Sequence, residues 1–250
     1  MTSHILVERP EAYPGVQVIR FNRPEKKNAI TRDMYAKMTT ALTVAQSDPA
    51  IRVTAFLGTE GCFSAGNDMS DFLAVAMGGS MGREVLDFLR ALASASKPIV
   101  SGVDGLAIGI GTTIHLHCDL TVASARSVFK TPFVDLALVP EAASSLIAPR
   151  LMGHQHAFAL LAAGEPLEAP DALSAGVIWK IVDERIVEEE TLSLAKRLAG
   201  KPPEALRIAR DLIRGDRRDI LARIEEEAEH FAARLKSAEA RAAFEAFMRR

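Results

Sequence analysis

Two short segments join small residues to the start of a helical pattern. Phe63-Ser64-Ala65-Gly66-Asn67-Asp68-Met69-Ser70-Asp71-Phe72 carries the end of a strand through Gly66 into a helix. Asp104-Gly105-Leu106-Ala107-Ile108-Gly109-Ile110-Gly111-Thr112-Thr113 follows an apolar strand and leads into another helix. A glycine turn at the head of a helix leaves main-chain N–H groups without intrahelical acceptors, and the helix dipole adds roughly half a positive charge there. Two such turns brought together make a cradle for an oxyanion. Taken singly, either turn could serve packing alone.

Other chemistries are poorly represented. Gly109-Ile110-Gly111-Thr112-Thr113-Ile114 places Ile114 where a dinucleotide-binding fingerprint needs its third glycine. The chain has no Gly-x-x-x-x-Gly-Lys-Ser/Thr phosphate loop. His115, His117 and Cys118 crowd together, but helical residues two apart point to different sides, so a core or interface role is expected rather than a metal site. Cys62 and Cys118 are too few for a disulfide framework, and a reducing, cytoplasmic setting is expected.

The elements that must hold these turns alternate in the first half of the chain and become helical in the last third. Ile5–Val7, Val16–Phe21, Val53–Leu57 and Pro98–Val103 read as strands, continued more briefly by Leu120–Ala123, Val128–Lys130 and Val177–Val182. Thr31–Gln46, with Met34, Met38, Leu42 and Ala45 at three-and-four spacing and Thr31 as cap, predicts an amphipathic helix on a sheet. Arg83–Ala93 predicts a second. Residues 74–82, with three glycines and two methionines, make a candidate lid. Further helices are expected over Ser144–Met152, Gln155–Ala163, Ala169–Ala175, Glu184–Ala199, Pro203–Arg214, Asp216–Leu235 and Ala238–Met248. This order predicts an α/β or α+β core with a helical C-terminal region. Phe244 and Phe247 would dock on the chain's own core or on a neighbouring subunit.

Composition narrows the partners. Of 250 residues, 48% are hydrophobic and 25% charged, and 30 Lys+Arg against 32 Asp+Glu leave a net charge of −2. No global attraction to nucleic acid or anionic lipid follows, so neither is an expected partner. No stretch approaches the ~18 apolar residues of a membrane helix. The N-terminus lacks the apolar run of a secretory signal, and Phe247-Met248-Arg249-Arg250 matches neither a peroxisomal nor an endoplasmic-reticulum tail.

Together, the two glycine turns resemble the crotonase (enoyl-CoA hydratase/isomerase) superfamily, and the likeness extends along roughly residues 5 to 248. Asn22-Arg23-Pro24-Glu25-Lys26-Lys27-Asn28-Ala29-Ile30 is similar to that family's Arg-Pro-x-x-x-Asn-Ala-Leu segment. Thr131-Pro132-Phe133-Val134-Asp135-Leu136-Ala137-Leu138-Val139-Pro140 resembles its loop before the helix over the active site. Pro202-Pro203 and Ser237–Phe244 match its C-terminal part.

The resemblance implies a crotonase-like spiral of β-β-α units over 1–195 and a helical trimerisation region over 196–250 that completes neighbouring subunits. It also implies a homotrimer or homohexamer acting on an acyl-CoA, without a metal or redox cofactor. By that likeness the N–H groups of Ala65 and Ile110 hold the thioester oxygen and stabilise an enolate, with Ser64, Gly66, Gly109 and Gly111 shaping the site and Asn67 and Asp68 its first turn. Lys26 and Lys27 are candidate phosphate partners of CoA; Met69, Phe72, Leu73, Met77 and Phe133 are candidates beside the substrate. Hydratases of this family carry two glutamates at positions matching Thr113 and Phe133, neither of which accepts a proton near pH 7. Glu141 instead resembles the sole base of the branch that moves a double bond from the 3 to the 2 position, with Asp135 as a rival. Hydration of a 2-enoyl-CoA and non-catalytic acyl-CoA binding are the alternatives.

Overall fold

The computed structural model describes residues 3–76 and 82–248. The chain opens with an antiparallel pair, β1 (Ile5–Glu8) and β2 (Val16–Phe21), and then α1 (Arg32–Ser47). Thr31 caps α1 by accepting the Met34 N–H, and Met34, Met38, Leu42 and Ala45 turn inward as their spacing requires.

A repeat of long strand, short strand and helix follows. Its first pass is β3 (Val53–Leu57), β4 (Cys62–Ser64), α2 (Met69–Ala76) and α3 (Glu84–Ser94). The second is β5 (Ile99–Val103), β6 (Leu106–Ile108) and α4 (Ile110–Thr113), and the third is β7 (Leu120–Ser124), β8 (Val128–Lys130) and α5 (Ser144–Leu161). The remainder comprises β9 (Leu167–Glu168), α6 (Ala169–Ser174), β10 (Lys180–Val182), α7 (Val187–Ala199), α8 (Pro203–Arg214), α9 (Arg218–Leu235) and α10 (Ala238–Met248).

Long strands form one sheet in the order β1-β2-β3-β5-β7-β10, parallel except for β1 against β2. Short strands form a second sheet, β4-β6-β8-β9, parallel except for β9 against β8. Each pass therefore advances one position in both sheets, which is the expected spiral of β-β-α units. All of β3 is buried because both faces of the large sheet are covered. Leu192, Leu194, Ala195 and Ala199 of α7 pack on Val16, Val18, Val53, Ala55, Val100 and Val122, while Ile19, Phe21 and Phe56 face the opposite core with α1 and α3.

Several expectations change in detail. The expected strand Val177–Val182 shortens to Lys180–Val182, although Val177 and Ile178 remain buried. The two helices expected over Ser144–Met152 and Gln155–Ala163 run together, broken at Gly153 with φ 76° and ψ 164°. A domain boundary at residue 195 falls inside α7, whose apolar face packs on the sheet through Ala199, so the β-β-α core extends to the end of that helix. Part of the tail docks on the chain itself. Phe231 and Phe244 are buried in this chain's own core, with ring centroids 5.7 and 6.2 Å from that of Phe72. Arg90 of α3 grips Glu225 of α9 through two hydrogen bonds of 2.7 and 2.8 Å. The apolar stripe of α9 and α10 thus finds its cover on α2 and its anchor on α3. Most of the candidate lid, with Met77, lies outside the described residues, as does the side chain of Phe247.

Candidate active site

The two glycine turns meet backbone to backbone. Gly66 holds φ +88°, and a Cβ placed there would lie 2.9 Å from the Ile108 carbonyl oxygen. Gly109 holds φ +56° and ψ −122°, a region closed to L-residues, and a Cβ there would stand 3.9 Å from the Gly66 Cα. A Cβ at Gly111 would be 2.8 Å from the Ser64 carbonyl oxygen. Ser64 is buried, donates its hydroxyl to Asn28 O at 2.8 Å and accepts the Gly66 N–H at 3.1 Å, so it shapes the turn. The buried Asn28 carboxamide donates to the Cys62 and Phe63 carbonyls at 2.9 and 3.1 Å.

This geometry revises the first oxyanion donor. The Ala65 N–H is already spent on Lys27 O at 2.8 Å, because Lys27, in a left-handed conformation, turns its carbonyl onto β4. The Asn67 N–H, one residue past Gly66, has no acceptor among the described residues, whereas its neighbour Asp68 N–H bonds Ile30 O at 2.9 Å. On the facing turn, Ile110 begins α4, and its N–H likewise has no acceptor, while the Thr112 and Thr113 N–H groups return to Gly109 O at 2.8 and 3.0 Å. Positive φ falls on Gly109, so a β-branched residue is accommodated at 110.

Glu141 shares a cavity with Asn67. It precedes a tight turn in which Ala142 and Ala143 both hold positive φ, 61° and 53°, closed by Ser144 N–H to Glu141 O at 3.0 Å. Two left-handed alanines in succession cost roughly 1–2 kcal/mol each. His117 Nε2 donates to Ala142 O at 2.7 Å and helps hold the turn. The Glu141 side chain is buried, and its Oε1 has no hydrogen-bond partner among the described residues. Burial first, then the negative charge of Glu227, push its pKa up to about 8, against a smaller downward pull from the Thr113 hydroxyl. Desolvation therefore outweighs the dipole at the head of α5.

Asn67 and Glu141 line one cavity, walled mainly by apolar side chains that include Phe72, Leu86, Leu89 and Phe231. Tyr35, also on its wall, donates its hydroxyl to Asn67 Oδ1 at 2.6 Å and fixes that side chain. Burial above all, then Glu141 and Asp71, hold the Tyr35 phenol well above its usual range.

The other predicted residues sort themselves by contact. Asp68 pairs with Arg23 at 2.5 Å and accepts the Ser70 N–H at 2.9 Å, so it shapes the turn rather than moving protons. Met69 and Leu73 are partly buried against the core. Phe133, expected beside the substrate, is packed into the core and is not among the cavity's lining residues. Asp135, the rival base, is exposed within a short helical turn and is not among the cavity's lining residues. Lys26 and Lys27 are exposed next to the first glycine turn. His115, buried against Ser101 Oγ at 2.9 Å, has its pKa driven down to about 3 by desolvation, as a core histidine would. Tyr35 and Glu227 were missed from sequence. Tyr35 sits on the buried face of α1 beside Met34 and Met38, and Glu227 lies three residues after buried Ile224 and four before buried Phe231. A carboxylate within an apolar helical stripe was the available signal.

A spiral of β-β-α units with paired glycine turns and a buried glutamate defines a crotonase-type protein, and solved structures agree. The chain superposes on Pseudomonas aeruginosa OdaA with a TM-score of 0.93 and 38% identity, covering 100% of both chains. An enoyl-CoA hydratase/isomerase from Pseudoalteromonas atlantica T6c gives a TM-score of 0.91 at 35% identity, over 99% of this chain and 97% of that one. Residues 11–250 match the family model described as Enoyl-CoA hydratase/isomerase, and the chain belongs to that family. Among curated relatives, Enoyl-CoA delta isomerase 2 of Rattus norvegicus is 36% identical over 85% of this chain and 56% of its own length. Enoyl-CoA delta isomerase 3, peroxisomal, of Mus musculus is 35% identical over 80% of this chain and 64% of its own. The chain thus spans between about half and two thirds of the length of these relatives.

Proposed function

We propose that this chain is an enoyl-CoA isomerase that moves the double bond of a 3-enoyl-CoA to the 2 position. The Glu141 carboxylate takes a proton from C2, and the C2 electron pair moves into a dienolate whose oxygen accepts the Asn67 and Ile110 N–H groups. The same carboxyl returns the proton to C4, restoring the thioester carbonyl and leaving Glu141 ionised. Two preorganised donors of this kind are each worth about 3 kcal/mol when removed. The observation that carries the reading is a buried carboxyl with its pKa pushed up to about 8, on an apolar cavity shared with the free Asn67 amide. Thr113 and Phe133, where a hydratase would need carboxylates, favour isomerisation over addition of water.

CoA is part of the substrate, with Lys26 and Lys27 placed to meet its phosphates, and neither a metal nor a redox cofactor takes part. The enzyme is cytoplasmic, serves fatty-acid β-oxidation and assembles as a homotrimer or homohexamer. Exposed Ile208, Leu212 and Ile213 on α8 support assembly, the last two being 78% and 85% accessible. The test supplies 3-enoyl-CoA and 2-enoyl-CoA in parallel to wild type and Glu141→Gln. Conversion of the first that vanishes in the variant is expected. Hydration of the second that persists in the variant would remove Glu141 from the mechanism, and binding without turnover would mark a non-catalytic protein.

A further inference from the structure

We propose that Glu227 of α9 is a positioning residue whose negative charge, fixed behind the Glu141 turn, holds the proton on Glu141 and makes base strength depend on docking of the C-terminal helices. The inference rests on Glu141 being the base. Glu227 is 5% exposed, and its Oε1 accepts both the Ser145 N–H at 3.0 Å and the Ser145 hydroxyl at 2.5 Å. Ser145 is the second residue of α5, so Glu227 satisfies an orphan donor at the head of the helix that follows the Glu141 turn. Its Oε2 is buried without a partner among the described residues, as are Glu141 Oε1, Thr113 Oγ1 and Ser144 Oγ.

Two buried carboxyls in one electrostatic field titrate together, and hydrogen bonding decides which one keeps the proton. Glu227 receives two donors on one oxygen, which favours its ionised form. The Glu141 Oε1 receives none among the described residues, and the Thr113 hydroxyl exerts only a smaller downward pull. Burial raises the pKa of both carboxyls, but at Glu227 the Ser145 donors pull it back down, so the proton belongs on Glu141 and the charge on Glu227. The remaining groups around Glu141 do not reverse that order. Tyr35 of α1 is neutral and engaged with Asn67, and Asp71 of α2 accepts the Arg32 N–H. Arg32 is paired with Glu84 at 3.0 Å. His117, bonded to Ala142 O, is kept neutral by burial, with its pKa lowered to about 4. On α9 itself, Arg223 donates to Ser145 Oγ at 3.1 Å and pairs with Glu226 at 3.0 Å, so it only partly offsets Glu227. Because α9 is anchored by Arg90 to Glu225 and by Phe231 to Phe72, this charge is present only when the tail is seated.

The test compares two substitutions of opposite expected sign. Glu227→Gln keeps an acceptor oxygen for Ser145 but removes the charge, so the acid limb of kcat/KM for 3-enoyl-CoA should move down by about one pH unit. Arg223→Met removes the offsetting cation and should move the limb up. A direct titration of the Glu141 carboxyl by infrared or carbon-13 spectroscopy, assigned by its loss in Glu141→Gln, should show the same two shifts without substrate. A limb and a titration unmoved in both folded variants overturn the proposal, because a merely structural role for Glu227 would change stability alone. If the titration shifts while 3-enoyl-CoA is not turned over, Glu141 is not the base and the coupling stands.

Discussion

Replacing Glu141 by Gln should stabilise this protein at alkaline pH while abolishing its proposed chemistry. The folded chain holds the Glu141 proton up to about pH 8, a wide gap above the ordinary value of 4.5. At 1.36 kcal/mol per unit this gap corresponds to about 5 kcal/mol. Its sign follows from linkage: the folded state binds the proton more tightly than the unfolded state, so the contribution is complete below about pH 4.5 and is lost as pH rises through about 8. Water admitted through a substrate cavity would lower the figure, and at least ~2 kcal/mol should remain. Urea unfolding of wild type and Glu141→Gln at pH 5 and pH 9 measures it, since other titrating groups cancel in the difference between the two proteins. The variant should gain on the wild type by that amount between the two pH values, with isomerase turnover down about 10³-fold. A wild-type-minus-variant difference that is constant across pH would refute the claim that Glu141 is held dry, and with it the explanation of how a carboxylate becomes a useful base here.

Gly66→Ala adds a methyl 2.9 Å from Ile108 O at φ +88°, so kcat should fall about 10²-fold or more as the turns part, with circular dichroism retained; an unchanged kcat would show that the turns need not touch. Tyr35→Phe removes the hydroxyl that holds Asn67 Oδ1, and thermal or urea unfolding should record a loss of about 1 kcal/mol together with a several-fold drop in kcat. Asp135→Asn, at an exposed position, should leave kcat within about twofold, since surface changes away from a site are small. A hundredfold loss there would restore Asp135 as the base.

Much of this fold was legible because its signals are local. The β-branched runs at Val16–Phe21 and Val53–Leu57 and the spacing of Met34, Met38 and Leu42 report burial directly. The small sheet was harder, because β4, β6 and β8 are three residues each and too short for a period-two pattern to register. The turns were visible through Gly66 and Gly109, but not which amide was free. That depends on Lys27 O, brought to Ala65 by a left-handed bend nearly forty residues upstream, and no residue type reports such a bond. Glu141 is legible through the likeness of its loop, whereas nothing local to Glu227, 86 positions later, ties it to that loop. From sequence the docking of Phe244 stays open between the chain's own core and a neighbour, because an apolar stripe names no partner; the packing of Phe72 between Phe231 and Phe244 does.

The meeting of Gly66, Gly109 and Gly111 with the opposite backbone places an unusual burden on the chain. An amide is supplied at every position except proline, so the amides proposed to bind oxygen cannot be deleted by exchanging one ordinary side chain for another. What is vulnerable is the clearance between two strips of backbone, maintained by residues whose whole contribution is a missing carbon. Drift at Asn67 or Ile110 can remodel the neighbourhood and alter which molecules fit, while the hydrogen atoms that do the holding persist. A scaffold arranged in this way can change its clientele without surrendering its grip.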